Sequence, residues 1–205
     1  GIEAYTGNIT FTEPTFSIET NHAALAICQS STITATLLRN DGSDTPISGE
    51  EIEFTANSGG TLSSSTALTD EYGEAQVTLS SDSEIVTSVT AEYCDISIST
   101  NDITFTMPII VLTANPVSIP AGGSSTITAT VTDSSLSENP VADGTEILFT
   151  VLSGSGTLSS ESATTTSGEA QVTVQHSSSE DLNSIEVQAN YCGVSSEPIT
   201  ITIET

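Results

Sequence analysis

The chain has 205 residues, a formal net charge of -26, no lysine and one strong base, Arg39. Serine and threonine make up roughly a third of it, far above ordinary usage. So acidic a surface repels nucleic acid phosphates and anionic membrane surfaces, and no stretch approaches the ~20 apolar residues of a spanning helix, so neither nucleic acid binding nor membrane insertion is expected. The length fits two domains of about 100 residues each. The apolar residues are regularly spaced and rich in Ile and Val, so the acidity reads as a device for keeping a β-rich protein soluble and its sheet edges apart. No secretory leader is recognisable, which fits a mature chain or a fragment of a longer one.

Residues 1 to 13 stand apart. Ile9-Thr10-Phe11-Thr12 alternates apolar and polar, the period of a half-buried strand, and Pro14 ends it. The phrase returns as Ile103-Thr104-Phe105-Thr106-Met107-Pro108, and in weaker form as Ile199-Thr200-Ile201-Thr202-Ile203. The two later copies each close a repeat and read as last strands. The first reads as the last strand of a domain that would precede residue 14, with Ile9 and Phe11 as its inward side chains.

Domain 1 is expected over residues 14–107. Thr15 to Ile18 opens it and a turn region runs from Asn21 to Ser30. Strands are predicted near Ser31–Leu38, Glu51–Ala56, Ala75–Leu79, Val86–Tyr93 and Ile96–Phe105. Turn signals separate them at Asn40-Asp41-Gly42, Ser48-Gly49, Ser58-Gly59-Gly60 and Tyr72-Gly73. Domain 2, residues 108–205, follows the same plan. Its predicted strands lie near Ile109–Thr113, Ser125–Thr132, Glu146–Leu152, Ala170–Gln175, Ser184–Tyr191 and Pro198–Ile203. Ser30-Ser31-Thr32-Ile33-Thr34-Ala35-Thr36 recurs as Ser124-Ser125-Thr126-Ile127-Thr128-Ala129-Thr130, and Gly73-Glu74-Ala75-Gln76-Val77-Thr78 as Gly168-Glu169-Ala170-Gln171-Val172-Thr173. Self-similarity at this period means two copies of one domain in tandem. Short alternating strands with turns between them, and no helical period, indicate all-β sandwiches.

The phrases Ile127-Thr128-Ala129-Thr130-Val131-Thr132-Asp133, Pro140-Val141-Ala142-Asp143-Gly144, Phe149-Thr150 and Gly168-Glu169-Ala170-Gln171-Val172-Thr173 resemble the bacterial immunoglobulin-like domains of the invasin and intimin type. The likeness covers both repeats, close to the whole chain after residue 13. It is degraded in domain 1, where Thr45-Pro46-Ile47-Ser48-Gly49 replaces Asn139-Pro140-Val141-Ala142-Asp143-Gly144. It implies two tandem immunoglobulin-like Greek-key β-sandwiches of the kind found in extracellular, repeated surface proteins. It transfers no binding site, since receptor binding in that family usually belongs to a terminal lectin-like domain.

Three cysteines make no disulfide scaffold. Cys94 follows Tyr93 and Cys192 follows Tyr191, where the resemblance puts the turn between strands F and G; Cys28 falls in the turn between strands A and B. In such a sandwich these turns lie at opposite ends, roughly 23 Å apart for strands of about 7 residues. A disulfide needs Cα atoms within about 7 Å, so Cys28–Cys94 is disfavoured. Head-to-tail stacking would instead bring Cys28 to Cys192 across the domain junction, leaving Cys94 free or bonded to another subunit. The alternative is three small buried or reduced thiols.

Asp41 and Asp44 in one loop, and Asp133, Glu138 and Asp143 in its counterpart, are weak calcium candidates; the competing reading is a solvated acidic rim. No cofactor is otherwise implied. Asn8-Ile9-Thr10 is a glycosylation acceptor sequence, short enough to arise by chance. His22 and His176 fall at loop-like positions and read as solvent-exposed side chains, and no nucleophile elbow or zinc helix motif occurs, so no enzyme is expected. The expected function is a structural subunit or stalk segment of an extracellular, cell-surface filament, joined head to tail by residues 1 to 13 docking on a neighbouring sandwich. Its partners would be identical subunits or further immunoglobulin-like domains. The alternative is an adhesin whose repeats bind a cell-surface ligand. A carbohydrate-binding module of a secreted enzyme is disfavoured, because the chain has no tryptophan and few aromatic residues.

Overall fold

The structure is a computed structural model that describes residues 12–135, 138–177 and 184–204. Asn8, Ile9 and Phe11 lie outside the described residues. The first eleven strands are β1 Thr15–Thr20, β2 Ala24–Ala26, β3 Ser30–Leu38, β4 Glu51–Ala56, β5 Thr61–Leu62, β6 Thr66–Leu68, β7 Glu74–Ser80, β8 Ile85–Thr87, β9 Val89–Tyr93, β10 Ile96–Ser99 and β11 Ile103–Thr106. Ten follow: β12 Ile109–Asn115, β13 Ser118–Pro120, β14 Ser124–Thr132, β15 Glu146–Ser153, β16 Gly156–Leu158, β17 Ser162–Thr164, β18 Glu169–His176, β19 Ile185–Tyr191, β20 Val194–Ser195 and β21 Ile199–Glu204. Among the described residues no helix is long and apolar enough to cross a membrane.

These strands form where period-2 alternation lets one face be buried. In β3, Ser31, Ile33, Ala35 and Leu37 are buried and the threonines between them are half-exposed. Its copy β14 buries Ser125, Ile127, Ala129 and Val131 in the same rhythm. β-Branched Thr and Ile suit a pleated, half-buried surface, so both faces of the repeat phrase favour a strand.

The described residues of Gly1–Asn21, Ser31–Leu79 and Thr87–Asp102 form one compact unit, and those of His22–Ser30, Ser80–Val86 and Ile103–Thr205 form a second. The first holds the sheets β1-β3-β7-β5 and β10-β9-β4-β6. Ile52 and Phe54 of β4, Val77 and Leu79 of β7, and Val89 and Ala91 of β9 supply its buried apolar side chains. In the second unit the corresponding sheets are β12-β14-β18-β16 and β13-β21-β19-β15-β17, with β20 paired to β19. Non-consecutive neighbours such as β3 beside β7, and β14 beside β18, give the Greek-key connectivity of an immunoglobulin-like sandwich. A further sheet runs β2-β11-β8, with β2 parallel to β11, just as β13 lies parallel to β21. Ala26 of β2 is fully buried in the core cluster that contains Ile127, Phe149, Val187 and Tyr191.

Two predicted strands are broken. The stretch Val86–Tyr93 divides at Ser88, because residues 85–87 join the sheet of β11 whereas residues 89–93 pair with β4. Ser88 instead accepts the Asn57 N–H on its carbonyl at 2.9 Å. The stretch Ile96–Phe105 divides likewise into β10 and β11, and Thr100 turns back to bond Val89 through its N–H (2.9 Å) and its hydroxyl oxygen (3.0 Å). The segment Asn21–Ser30 is a turn region that contains the three-residue strand β2.

Gly168 must be glycine for two reasons. Its φ is +78°, and an added Cβ would stand 2.7 Å from Pro140 Cβ and 3.0 Å from the Val131 carbonyl oxygen. Gly144 has a similar φ of +83° but open space around it. Gly168→Ala is expected to cost about 1–3 kcal/mol more than Gly144→Ala in urea unfolding, the overpacking increment beyond a shared left-handed strain. Equal losses would contradict the close approach.

Candidate functional site

In the second unit a disulfide and a tyrosine hydrogen bond converge on the turn that follows β19. Cys192 (φ 51°) and Gly193 (φ 76°) are the two central residues of the hairpin between β19 and β20, closed by the Tyr191–Val194 pair. Positive φ at both positions is the signature of the hairpin turn whose twist matches its strands. Facing it is the end of β2. There the Ile27 N–H donates to the Thr106 carbonyl and the Cys28 N–H to the Ser81 carbonyl, both at 2.9 Å. The structure joins Cys28 to Cys192 in a disulfide, with Cα atoms 6.2 Å apart. Both cysteines belong to the second unit. Beside the bond, the Tyr191 hydroxyl donates to the Ile27 carbonyl at 3.3 Å. The Tyr191 ring is 8% exposed, and burial pushes its phenol above the usual range. Ala26 is thus buried in the core, and the next two residues are fastened to one hairpin, Ile27 by a hydrogen bond and Cys28 by a covalent bond.

An open cleft of about 750 Å³ borders this fastening, lined in part by His22, Leu25, Gln29, Asn139, Glu146 and Tyr191. Asp133 lies at its wall and is 1% exposed. Its Oδ1 accepts the Ser135 N–H (3.1 Å), the Ser135 hydroxyl (2.6 Å) and the Asn139 N–H (3.0 Å); Oδ2 accepts the Asn139 side-chain amide at 3.0 Å. Burial pushes this carboxyl up, but the bonds from Ser135 and Asn139 together outweigh it and hold the group below the usual range. Asp133 therefore organises its own loop. The other calcium candidates do not converge on it. Asp143 accepts the Ser167 N–H at 2.6 Å. Asp41 accepts the hydroxyl and the N–H of Ser43, and these bonds, the hydroxyl's first, hold its carboxyl low. Asp44 and Glu138 both have positive φ, 50° and 45°. Among the described residues no group of three or more His, Cys, Asp or Glu side chains gathers to hold a metal.

The first unit carries the counterpart of the hairpin. Cys94 (φ 47°) and Asp95 (φ 63°) turn β9 into β10, closed by the Tyr93–Ile96 pair. Cys94 is free and exposed. The Tyr93 hydroxyl donates to Glu50 at 3.1 Å, and its ring lies 6.4 Å from that of Phe16. Burial first, then Glu50 and Cys94, push the Tyr93 phenol up to about 12.

His176 corrects an expectation. It is the last residue of β18 and 1% exposed, not solvent-exposed. Its N–H donates to the Gly123 carbonyl at 2.9 Å and its Nδ1 accepts the Gly122 N–H at 3.4 Å, so it anchors the turn before β14. The period-2 pattern ran one residue further than Gln175, and that was the missed signal. The hydroxyl of Tyr191 was also missed, although the Tyr-Cys pair at 93–94 and 191–192 marked its position. His22 is exposed.

Residues 15–106 match the family model described as bacterial Ig-like domain (group 1). No curated protein matches the chain. Among solved structures, the chain is similar to the D0-D1 domain of intimin, at 22% identity and a TM-score of 0.43, covering 91% of this chain and 97% of that one. It is also similar to a C-terminal 282-residue fragment of intimin, a fragment solved in complex with the intimin-binding domain of the translocated intimin receptor. That likeness has 18% identity and a TM-score of 0.46, over 93% of this chain and 64% of that one. A third likeness is to invasin, described as a bacterial integrin-binding protein, with 24% identity and a TM-score of 0.41 over 94% of this chain. The chain spans 39% of that invasin chain's length.

Two outcomes follow from the geometry. Replacing both bonded cysteines, Cys28→Ser with Cys192→Ser, frees a closure spanning 164 residues, worth about 5 kcal/mol on the chain-entropy estimate. The urea midpoint of the double variant should fall well below that of Cys94→Ser, which should match wild type; coincident midpoints would count against the bond. Asp133→Ala strands the Ser135 and Asn139 donors and should cost about 1–3 kcal/mol at pH 7. Because the folded carboxyl is held low, its contribution is complete above the ordinary aspartate value of about 4 and is lost as pH falls through the folded value. The difference in Tm between wild type and Asp133→Ala should therefore shrink on acidification from pH 5 to 2; a constant difference would contradict it.

Proposed function

We propose that the chain is a segment of an extracellular, cell-surface structure built of Ig-like domains and acting without catalysis; residues 15–106 match the model of the bacterial Ig-like domain (group 1), and residues 109–204 repeat their strand plan. In this reading residues 1–13 dock as a closing strand on a neighbouring sandwich, of a second copy or of a further Ig-like domain.

One observation carries the docking. The phrase found at Ile9-Thr10-Phe11-Thr12 recurs at Ile103-Thr104-Phe105-Thr106 and, with isoleucine for phenylalanine, at Ile199-Thr200-Ile201-Thr202, and both times it is a strand flanked on each side. As β11 it lies between β2 and β8, with Ile103 and Phe105 buried at 0% and 1% exposure. As β21 it lies between β13 and β19, with Ile201 and Ile203 buried. Both later copies thus already fill a flanked slot within the chain. A third copy of the same amphipathic pattern is satisfied by a third sandwich, through strand addition. The Cys28–Cys192 disulfide supports an oxidising, extracellular compartment.

Removing residues 1–13, or introducing Ile9→Asp with Phe11→Asp, is expected to abolish end-to-end association measured by light scattering and electron microscopy, with Tm unchanged. Association that survives both changes would contradict strand docking. A chain that stays monomeric with or without the segment, yet binds cell surfaces, would favour adhesion instead.

A further inference from the structure

Cys94 and Cys192 hold the same place in the two repeats. Each opens a two-residue hairpin turn at positive φ, and each follows a tyrosine that closes the turn. In the second unit that place is engaged, by the disulfide to Cys28 and by the Tyr191 hydroxyl on the Ile27 carbonyl. In the first unit the same pair is present, but Cys94 is free and exposed and the Tyr93 hydroxyl bonds Glu50. The receiving hairpin therefore occurs twice and its engaged partner turn once.

The partner side of the repeat explains who can fill the vacant hairpin. Cys28 has φ 63° and follows β2, and the next N–H, of Gln29, returns to the Ala26 carbonyl at 3.3 Å. In the second repeat this position is Gly122, with φ 78° after β13, and the Gly123 N–H returns to the Pro120 carbonyl at 2.8 Å. The backbone turn is the same, but the thiol is missing. A second copy of this chain offers only Gly122 at its vacant turn, since its Cys28 is already bonded. The receiving loops differ too: Arg39, whose N–H reaches the Thr45 carbonyl at 2.9 Å, stands where the second unit has Asp133, whose N–H reaches the Asn139 carbonyl at 2.9 Å.

We infer that Cys94 is a covalent docking site for a further Ig-like domain of different sequence, one that carries a cysteine at the turn position held here by Cys28. The bond forms between the two sulfurs. The two thiols release two protons and two electrons to a disulfide oxidant such as glutathione disulfide, which leaves as two molecules of thiol. The site deepens the end-to-end reading above, and the two fail separately: deletion of residues 1–13 reads strand docking, whereas a non-reducing gel reads the bond at Cys94.

The missing thiol can be supplied within the chain as Gly122→Cys, a position whose positive φ a cysteine already adopts at Cys28. With glutathione disulfide, this variant should shift from monomer to a ladder of dimers and higher species on a denaturing, non-reducing gel, and the ladder should collapse with reductant. Wild type should stay monomeric, and adding Cys94→Ser to Gly122→Cys should abolish the ladder. A Gly122→Cys chain that stays monomeric while keeping its Cys28–Cys192 bond overturns the inference. So does a ladder that survives Cys94→Ser, or a wild-type Cys94–Cys94 dimer. If Gly122→Cys fails to fold, mass spectrometry of alkylated, unreduced surface material decides: Cys94 bonded to a foreign Ig-like peptide supports the inference, and a fully alkylated Cys94 overturns it.

Discussion

The disulfide between Cys28 and Cys192 constrains more of this protein than any other single bond. It closes a span of 164 residues, and it does so where Ala26 is buried in the core cluster and Tyr191 bonds Ile27. The hairpin that receives it is held at positive φ by a short turn, so the sulfur is presented by backbone geometry and not by a flexible loop. Strand length, turn type and thiol position are thus linked. A change of one residue in β19 would move the sulfur to the opposite face of the sheet.

Much of this architecture was legible in the sequence because the repeat carries its burial pattern openly. Ser-Ser-Thr-Ile-Thr-Ala-Thr and Glu-Ala-Gln-Val-Thr alternate strictly, and β3, β7, β14 and β18 bury the alternate residues. The short strands were not legible. β2, β5, β6, β13, β16 and β17 have two or three residues each, fewer than an alternation needs to declare itself. The break at Ser88 was hidden as well, because a strand that changes sheets keeps its period while it changes partners. His176 was misread since a histidine at a strand end looks like loop polarity until the backbone bonds to Gly122 and Gly123 are seen. Of the candidate site, the turn positions of the cysteines could be read from the repeated Tyr-Cys pair; the hydroxyl contact of Tyr191 could not, because it depends on which backbone carbonyl faces it.

The acidic side chains serve two physical ends. Asp133 shows the first, a buried carboxylate saturated by Ser135 and Asn139 that fixes a loop beside the fastening. The second is collective. With Arg39 as the one strong base, 27 acidic side chains give the chain a charge whose self-repulsion opposes unspecific edge-to-edge pairing.

The functional account rests on one phrase occurring three times. Its second and third copies are flanked, half-buried strands, and the account gives the first copy the same fate in a neighbouring sandwich. A density map of the assembled material by electron microscopy tests this most directly. The account predicts residues 9–12 as a strand hydrogen-bonded between two strands of another sandwich, with Ile9 and Phe11 inward. Residues 9–12 unpaired, or folded back on their own chain, would contradict it.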